Sequence, residues 1–203
     1  PLSSSAASDV YKRQDPNICQ KYLKKFKFIL TNDQIKAMKE INNDLKSKQR
    51  MFRLLQGDVG SGKTIIALIA ALNVIKSGFQ VALMVPTEIL AKQHYNFASD
   101  LFGKDISIEL LTGKTEYKQK KSTLENIKQN KIKLIIGTHA LFQKKVDYKN
   151  LGLIIIDEQH KFGVRQRKEL SDKGGNNCDV LVMSATPIPV SYTHLTLPTT
   201  IEV

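Results

Sequence analysis

Residues 57 to 64 read Gly57-Asp58-Val59-Gly60-Ser61-Gly62-Lys63-Thr64, and this octet constrains the fold more than any other stretch. Glycines at this spacing let successive backbone N–H groups turn inward around phosphate oxygens. The loop then opens a helix whose dipole favours negative charge. Lys63 is placed to reach β- and γ-phosphates, and the Thr64 hydroxyl to hold Mg²⁺. Such a loop needs a strand before it and a helix after it. Met51-Phe52-Arg53-Leu54-Leu55-Gln56 reads as a short strand, and Ile65 to Ile75 as an apolar, Ala-rich helix ending near Gly78.

The chain is long enough, at 203 residues, for one domain with a real core. Its formal net charge of +12, carried mostly by Lys, favours a polyanionic partner, most simply nucleic acid. Cys19 and Cys178 share no motif spacing and read as free thiols in a reducing compartment. The longest apolar run, Ile65 to Leu72, is far too short to span a bilayer. No signal peptide is legible, and the cytoplasm is the expected location. Residues 1–14 and 190–203 read as foreign or disordered tails. Both stretches, Ser3 to Gln14 and Val190 to Thr200, resemble translated sequencing-library adapter and are set aside from the fold.

Residues 15–50 read as a helical lead-in, with Leu23, Phe26, Ile35, Met38, Ile41 and Leu45 at helical spacing. From 51 to 189 strands and helices alternate. Strands are expected at 80–85, 106–111, 133–137, 153–156 and 180–183, with helices over 87–102 and 116–129. Short apolar strands separated by helices predict an α/β domain, a mostly parallel sheet covered on both faces. Ligands of such sheets sit outside the carboxyl ends of the strands, so the informative residues should follow each strand directly. His94 reads as one residue of an amphipathic helix with no metal role, and Met84 as core. The Lys-rich runs at 118–121 and 128–133 suit either attraction of DNA or a solvated helix face.

Leu153-Ile154-Ile155-Ile156-Asp157-Glu158 is an apolar strand ending in two carboxylates. Asp157 would stand beside the phosphate loop and hold Mg²⁺, directly or through its water. Glu158 would accept a proton from attacking water. With Gln159 and His160 the run resembles the D-E-x-H motif of superfamily 2 helicases. Further motifs of that superfamily follow in order at the expected strand ends. Phe28, Leu30-Thr31 and Gln34 resemble the Q motif. Pro86-Thr87-Glu88 resembles motif Ia, Thr112-Gly113 motif Ib, and Gly137-Thr138-His139 the next DNA-facing loop. Ser184-Ala185-Thr186-Pro187 resembles motif III.

Longer stretches narrow the resemblance. Arg53-Leu54-Leu55-Gln56 before the octet, Pro86 to Ala91 with Gln93-His94, Gly137 to Leu141, and Asp157 to Val164 with Gln166-Arg167 resemble the RecG family of bacterial ATP-dependent DNA helicases. The resemblance covers roughly residues 20–189. The Mfd family of transcription–repair coupling translocases shares the Phe-Gly-Val and Gly-Thr-His segments. It typically carries Glu-Gln where this chain has Gln159-His160.

The RecG resemblance implies a RecA-like lobe binding ATP and Mg²⁺, in a protein that remodels stalled forks and Holliday junctions during repair and recombination. It implies hydrolysis by Lys63, Thr64, Asp157 and Glu158, within a nucleotide-binding set of Gln34 and Gly57, Asp58, Val59, Gly60, Ser61, Gly62, Lys63 and Thr64. Gln34 would read adenine and Phe28 would pack beside the base. Pro86, Thr87, Thr112, Gly113, Thr138 and His139 would meet the DNA backbone, where small hydroxyls and glycines allow close approach to phosphate without reading sequence. His160, Ser184 and Thr186 would couple nucleotide state to DNA grip. The family also has a wedge domain and a second RecA-like lobe, whose arginine finger is worth about 10³–10⁵ in rate in comparable enzymes. Without these partners the chain is expected to bind ATP weakly, hydrolyse it very slowly and unwind nothing. The alternatives are a lobe of an Mfd-like translocase and a stand-alone nucleotide-dependent DNA-binding module.

Overall fold

A computed structural model describes residues 21–24, 29–47, 49–157, 178–185 and 199–203. Phe28, Glu158, His160 and Thr186 lie outside the described residues. The elements run α1 (Asn32–Leu45), β1 (Phe52–Gln56), α2 (Lys63–Lys76), β2 (Gln80–Met84), α3 (Glu88–Phe102), β3 (Ile108–Leu111), α4 (Tyr117–Lys128), β4 (Leu134–Gly137), β5 (Leu151–Asp157), β6 (Asp179–Ser184) and β7 (Thr199–Glu202). Short 3₁₀ turns lie at Gly103–Asp105 and His139–Phe142.

The seven strands form one sheet in the order β3-β4-β2-β5-β6-β1-β7, and every pairing is parallel. Strand alternation distributes the core between the two faces. Leu55, Val81, Leu83, Ile136, Ile155, Leu181 and Met183 pack with α1, α2 and α3. Leu54, Ala82, Met84, Ile135, Ile154, Ile156, Val180 and Val182 pack on the other face with Ile127, Leu141, Phe142 and Val146. Both faces being covered explains why these strands read as unbroken apolar runs.

Helix α2 is buried from Ile65 to Ile75 without a polar face. It lies between the sheet and α1, so apolar residues all round its axis each find a partner. Its one polar interior side chain, Asn73, donates from Nδ2 to Asn42 Oδ1 of α1 at 2.7 Å. Within the lead-in, residues 21–24 are helical, and Tyr22 stacks edge-on against Phe102 with centroids 5.5 Å apart. Tyr22 donates its hydroxyl to Asp105 at 2.9 Å, and burial is the first cause of its pKa rising to about 12.

Two expectations need correction. Ile35 was assigned to an apolar helix face, but it is 38% exposed, and Ala37, Ile41 and Leu45 make the buried stripe of α1. The tail 190–203 is not wholly outside the fold, because Thr199–Glu202 forms an edge strand beside β1. Its β-branched, alternating run suits a strand, and Ile201 is 5% exposed against the α1–α2 side.

Candidate functional site

The phosphate loop begins where β1 ends. Gly57 N–H donates to Ser184 O at 3.3 Å, which ties the loop's first residue to the end of β6. Gly60 and Gly62 take φ of 84° and 86°, the left-handed backbone that glycine adopts without a side-chain penalty. Gly62 is also the N-cap of α2. A Cβ there would come within 2.5 Å of Gln34 Nε2.

Gln34 belongs to α1 and reaches this loop through its cap. Thr31 Oγ1 accepts from Gln34 N–H at 3.2 Å, and Gln34 Oε1 accepts from Thr31 N–H at 3.0 Å. That reciprocal capping box fixes the side chain. Its amide then donates from Nε2 to Ser61 O at 2.7 Å. One N–H and one oxygen lone pair remain on the amide, a donor and an acceptor side by side.

Lys63 folds back onto its own loop, donating to Gly57 O at 2.7 Å and Asp58 O at 2.6 Å. Among the described residues no carboxylate pairs with it. Ser61 Oγ is buried with no hydrogen-bond partner among the described residues. A cation with no carboxylate partner and a buried hydroxyl with no hydrogen-bond partner among the described residues, both in one glycine loop, fit a polyphosphate ligand. No three His, Cys, Asp or Glu groups among the described residues gather into a metal site.

Asp157 closes β5, two strands from β1, with β6 between them. Its Oδ2 accepts a hydrogen bond from His94 Nε2 at 3.1 Å, and the two side chains are only 15% and 10% exposed. Thr64 sits half-buried at the start of α2. Ser184 ends β6 and is 1% exposed. The nucleotide candidates thus follow β1, β5 and β6.

The residues expected to meet nucleic acid follow β2, β3 and β4. Pro86 and exposed Thr87 come after β2, and Thr87 caps α3 by accepting from Leu90 N–H at 3.3 Å. Thr112 and Gly113 come after β3. Gly113 is exposed, whereas Thr112 is buried and donates its N–H to Thr115 Oγ1 at 3.0 Å. Thr138 and His139 come after β4, with Thr138 buried and His139 exposed. Lys114 Nζ pairs with Glu88 Oε2 at 3.3 Å, joining the loops after β2 and β3. The backbones of these loops, more than the buried hydroxyls of Thr112 and Thr138, are open to a ligand.

Sequence reasoning missed His94. Its burial at 8% and its bond to Asp157 at the end of β5 are a tertiary contact that no local pattern encodes, since α3 itself leaves the end of β2 and packs against β3 and β4.

A family model for DEAD/DEAH box helicases matches residues 31–194. The chain belongs to the DEAD/DEAH box helicase family. It is 54% identical over 178 residues to the ATP-dependent DNA helicase RecG of Aquifex aeolicus, covering 86% of this chain and 22% of that protein. To RecG of Thermotoga maritima it is 50% identical over 181 residues, covering 89% of this chain and 23% of that one. The structure of RecG bound to a three-way DNA junction superposes with a TM-score of 0.81 at 41% identity, covering 98% of this chain and 28% of that one. The chain therefore spans about a quarter of the length of the relatives it matches. A hypothetical ATP-dependent RNA helicase from Sulfolobus tokodaii shares the fold, with a TM-score of 0.70 at 19% identity.

Proposed function

We propose that this chain is the ATP-binding, RecA-like lobe of a RecG-like helicase that couples ATP hydrolysis to remodelling of branched DNA. One observation carries the reading. The phosphate loop and Asp157 stand at the carboxyl ends of β1 and β5, beside three strand-end loops of a family whose RecG members are about half identical to this chain. The net charge of +12 supports a DNA partner, and a bacterial, cytoplasmic setting accompanies the proposal.

Lys63 would leave the carbonyls of Gly57 and Asp58 and turn its charge toward the β- and γ-phosphates. The backbone N–H groups of Gly60, Ser61 and Gly62, with Asp58 and Val59, would line the polyphosphate. Thr64 and Asp157 would hold Mg²⁺, which supplies charge neutralisation at the phosphate oxygens. The free N–H and lone pair of Gln34 match an acceptor and a donor on the adenine edge. Glu158 would take the proton of the attacking water. Pro86, Thr87, Thr112, Gly113, Thr138 and His139 would present loop backbone and small side chains to DNA phosphates. Ser184, whose carbonyl already holds Gly57, would pass nucleotide state along with His160 and Thr186.

The test is a chimera in which residues 20–189 replace the matching lobe of Thermotoga maritima RecG. Remodelling of a branched DNA by the chimera, abolished by Lys63→Ala, is expected. A chimera that folds and binds ATP yet remodels nothing contradicts the proposal. The chain alone should hydrolyse ATP very slowly and unwind no duplex.

A further inference from the structure

The carboxyl edge of the sheet divides into two halves. β5, β6 and β1 carry the nucleotide candidates, and β3, β4 and β2 carry the loops assigned to nucleic acid. The border runs between β2 and β5, which pair from Gln80 to Met84. The hydrogen bond between His94 and Asp157 crosses that border. We propose that His94 is a positioning residue for the metal-holding carboxylate of Asp157, and through α3 ties that carboxylate to the loop at Pro86 and Thr87. The inference rests on the reading of Asp157 as a Mg²⁺ ligand.

The geometry supports a positioning role over a passive packing one. An ionised carboxylate only accepts, so Nε2 carries the hydrogen and donates to Oδ2. Asp157 Oδ1 has no protein partner among the described residues, so the bond fixes the carboxylate plane and leaves one oxygen for a cation. His94 is itself immobilised, since α3 buries Ala91, Ala98, Leu101 and Phe102 along the same side. Seven residues, about two turns, separate His94 from the cap residue Thr87, which places both on one side of α3. A movement of the capped first turn is therefore carried by a rigid helix to the atom that orients Asp157. Partners of this kind to metal-binding carboxylates change metal affinity by roughly 10–100-fold when removed.

The test uses the full chain and reads metal and nucleotide binding, not turnover. Affinity for a fluorescent ATP analogue is measured in Mg²⁺ and in EDTA, and Mn²⁺ bound with the nucleotide is counted by electron paramagnetic resonance. His94→Ala should weaken Mn²⁺ binding by about tenfold or more and erase most of the gain in nucleotide affinity due to Mg²⁺. Affinity in EDTA should not change. His94→Gln, whose amide nitrogen can stand where Nε2 does, should restore most of the metal effect even if His94→Ala folds poorly. Unchanged Mn²⁺ affinity in a folded His94→Ala protein overturns the inference, as does an equal loss with and without metal, or a folded His94→Gln protein that binds Mn²⁺ at least tenfold more weakly than the unmutated chain. An unmutated chain whose nucleotide affinity ignores Mg²⁺ overturns the Asp157 reading itself, and the inference with it.

Discussion

Gln80 shows how one buried polar side chain can organise a chain crossing. It is fully buried at the start of β2, yet all its hydrogen-bonding capacity is used. Nε2 donates to Ile127 O and Ile132 O, each at 2.9 Å, and Oε1 accepts from Lys149 and Asn150 N–H at 3.0 and 3.2 Å. Gln80→Leu would strand four backbone groups, and about 3–5 kcal/mol of stability should be lost in urea denaturation. Asp179 gives a pH-dependent case. Burial is the main cause that raises its pKa to about 7, with the Met51 N–H bond and Arg50 opposing and Asp44 adding to the rise. The native state therefore holds a proton between roughly pH 4 and pH 7 that the unfolded chain has released, and stability falls as pH rises through that window. Asp179→Asn keeps an acceptor for Met51 and removes the charge. It should exceed the unmutated chain by about 4 kcal/mol above pH 7, and the gap should close toward pH 4.

At the level of elements, two glycines decide how neighbours approach. A Cβ on Gly137, at the end of β4, would lie 1.9 Å from Leu111 O of β3, a backbone atom that cannot move aside cheaply. Gly137→Ala should force β3 from β4, costing about 3 kcal/mol or more and raising hydrogen exchange in β3 first. Gly62→Ala adds left-handed strain to a collision with Gln34, so it should lower stability by about 1–2 kcal/mol and weaken nucleotide binding more than that loss explains. The elements themselves were legible in the sequence, because buried parallel strands announce themselves as apolar runs and α3 and α4 by their periodicity. The octet and Asp157 were legible as candidates as well, since a loop proposed to bind phosphate is written as a fixed local order of residues. What sequence did not show was non-local. Nothing local marks the reach of His94 to Asp157, the closure of Gln80 on two other segments, or the seating of Thr199–Glu202 beside β1.

Across the whole molecule, the proposal puts its two ligands at different halves of one sheet edge. A partner bound by loop backbone and basic side chains should show affinity that falls steeply with salt, whereas nucleotide binding depends on Lys63. Lys63→Ala should accordingly leave duplex DNA affinity and its salt slope nearly unchanged in filter-binding titrations. The 3.1 Å contact of His94 with Asp157 is the link proposed to let one half sense the other. The most direct measurement is an anisotropy titration of a fluorescent ATP analogue, with Mg²⁺, into the chain and into Lys63→Ala. Saturable binding that weakens at least tenfold in the variant is expected, the scale of one lost charge-assisted contact to phosphate. Equal affinity in the two proteins, both folded, would contradict a nucleotide site at the end of β1.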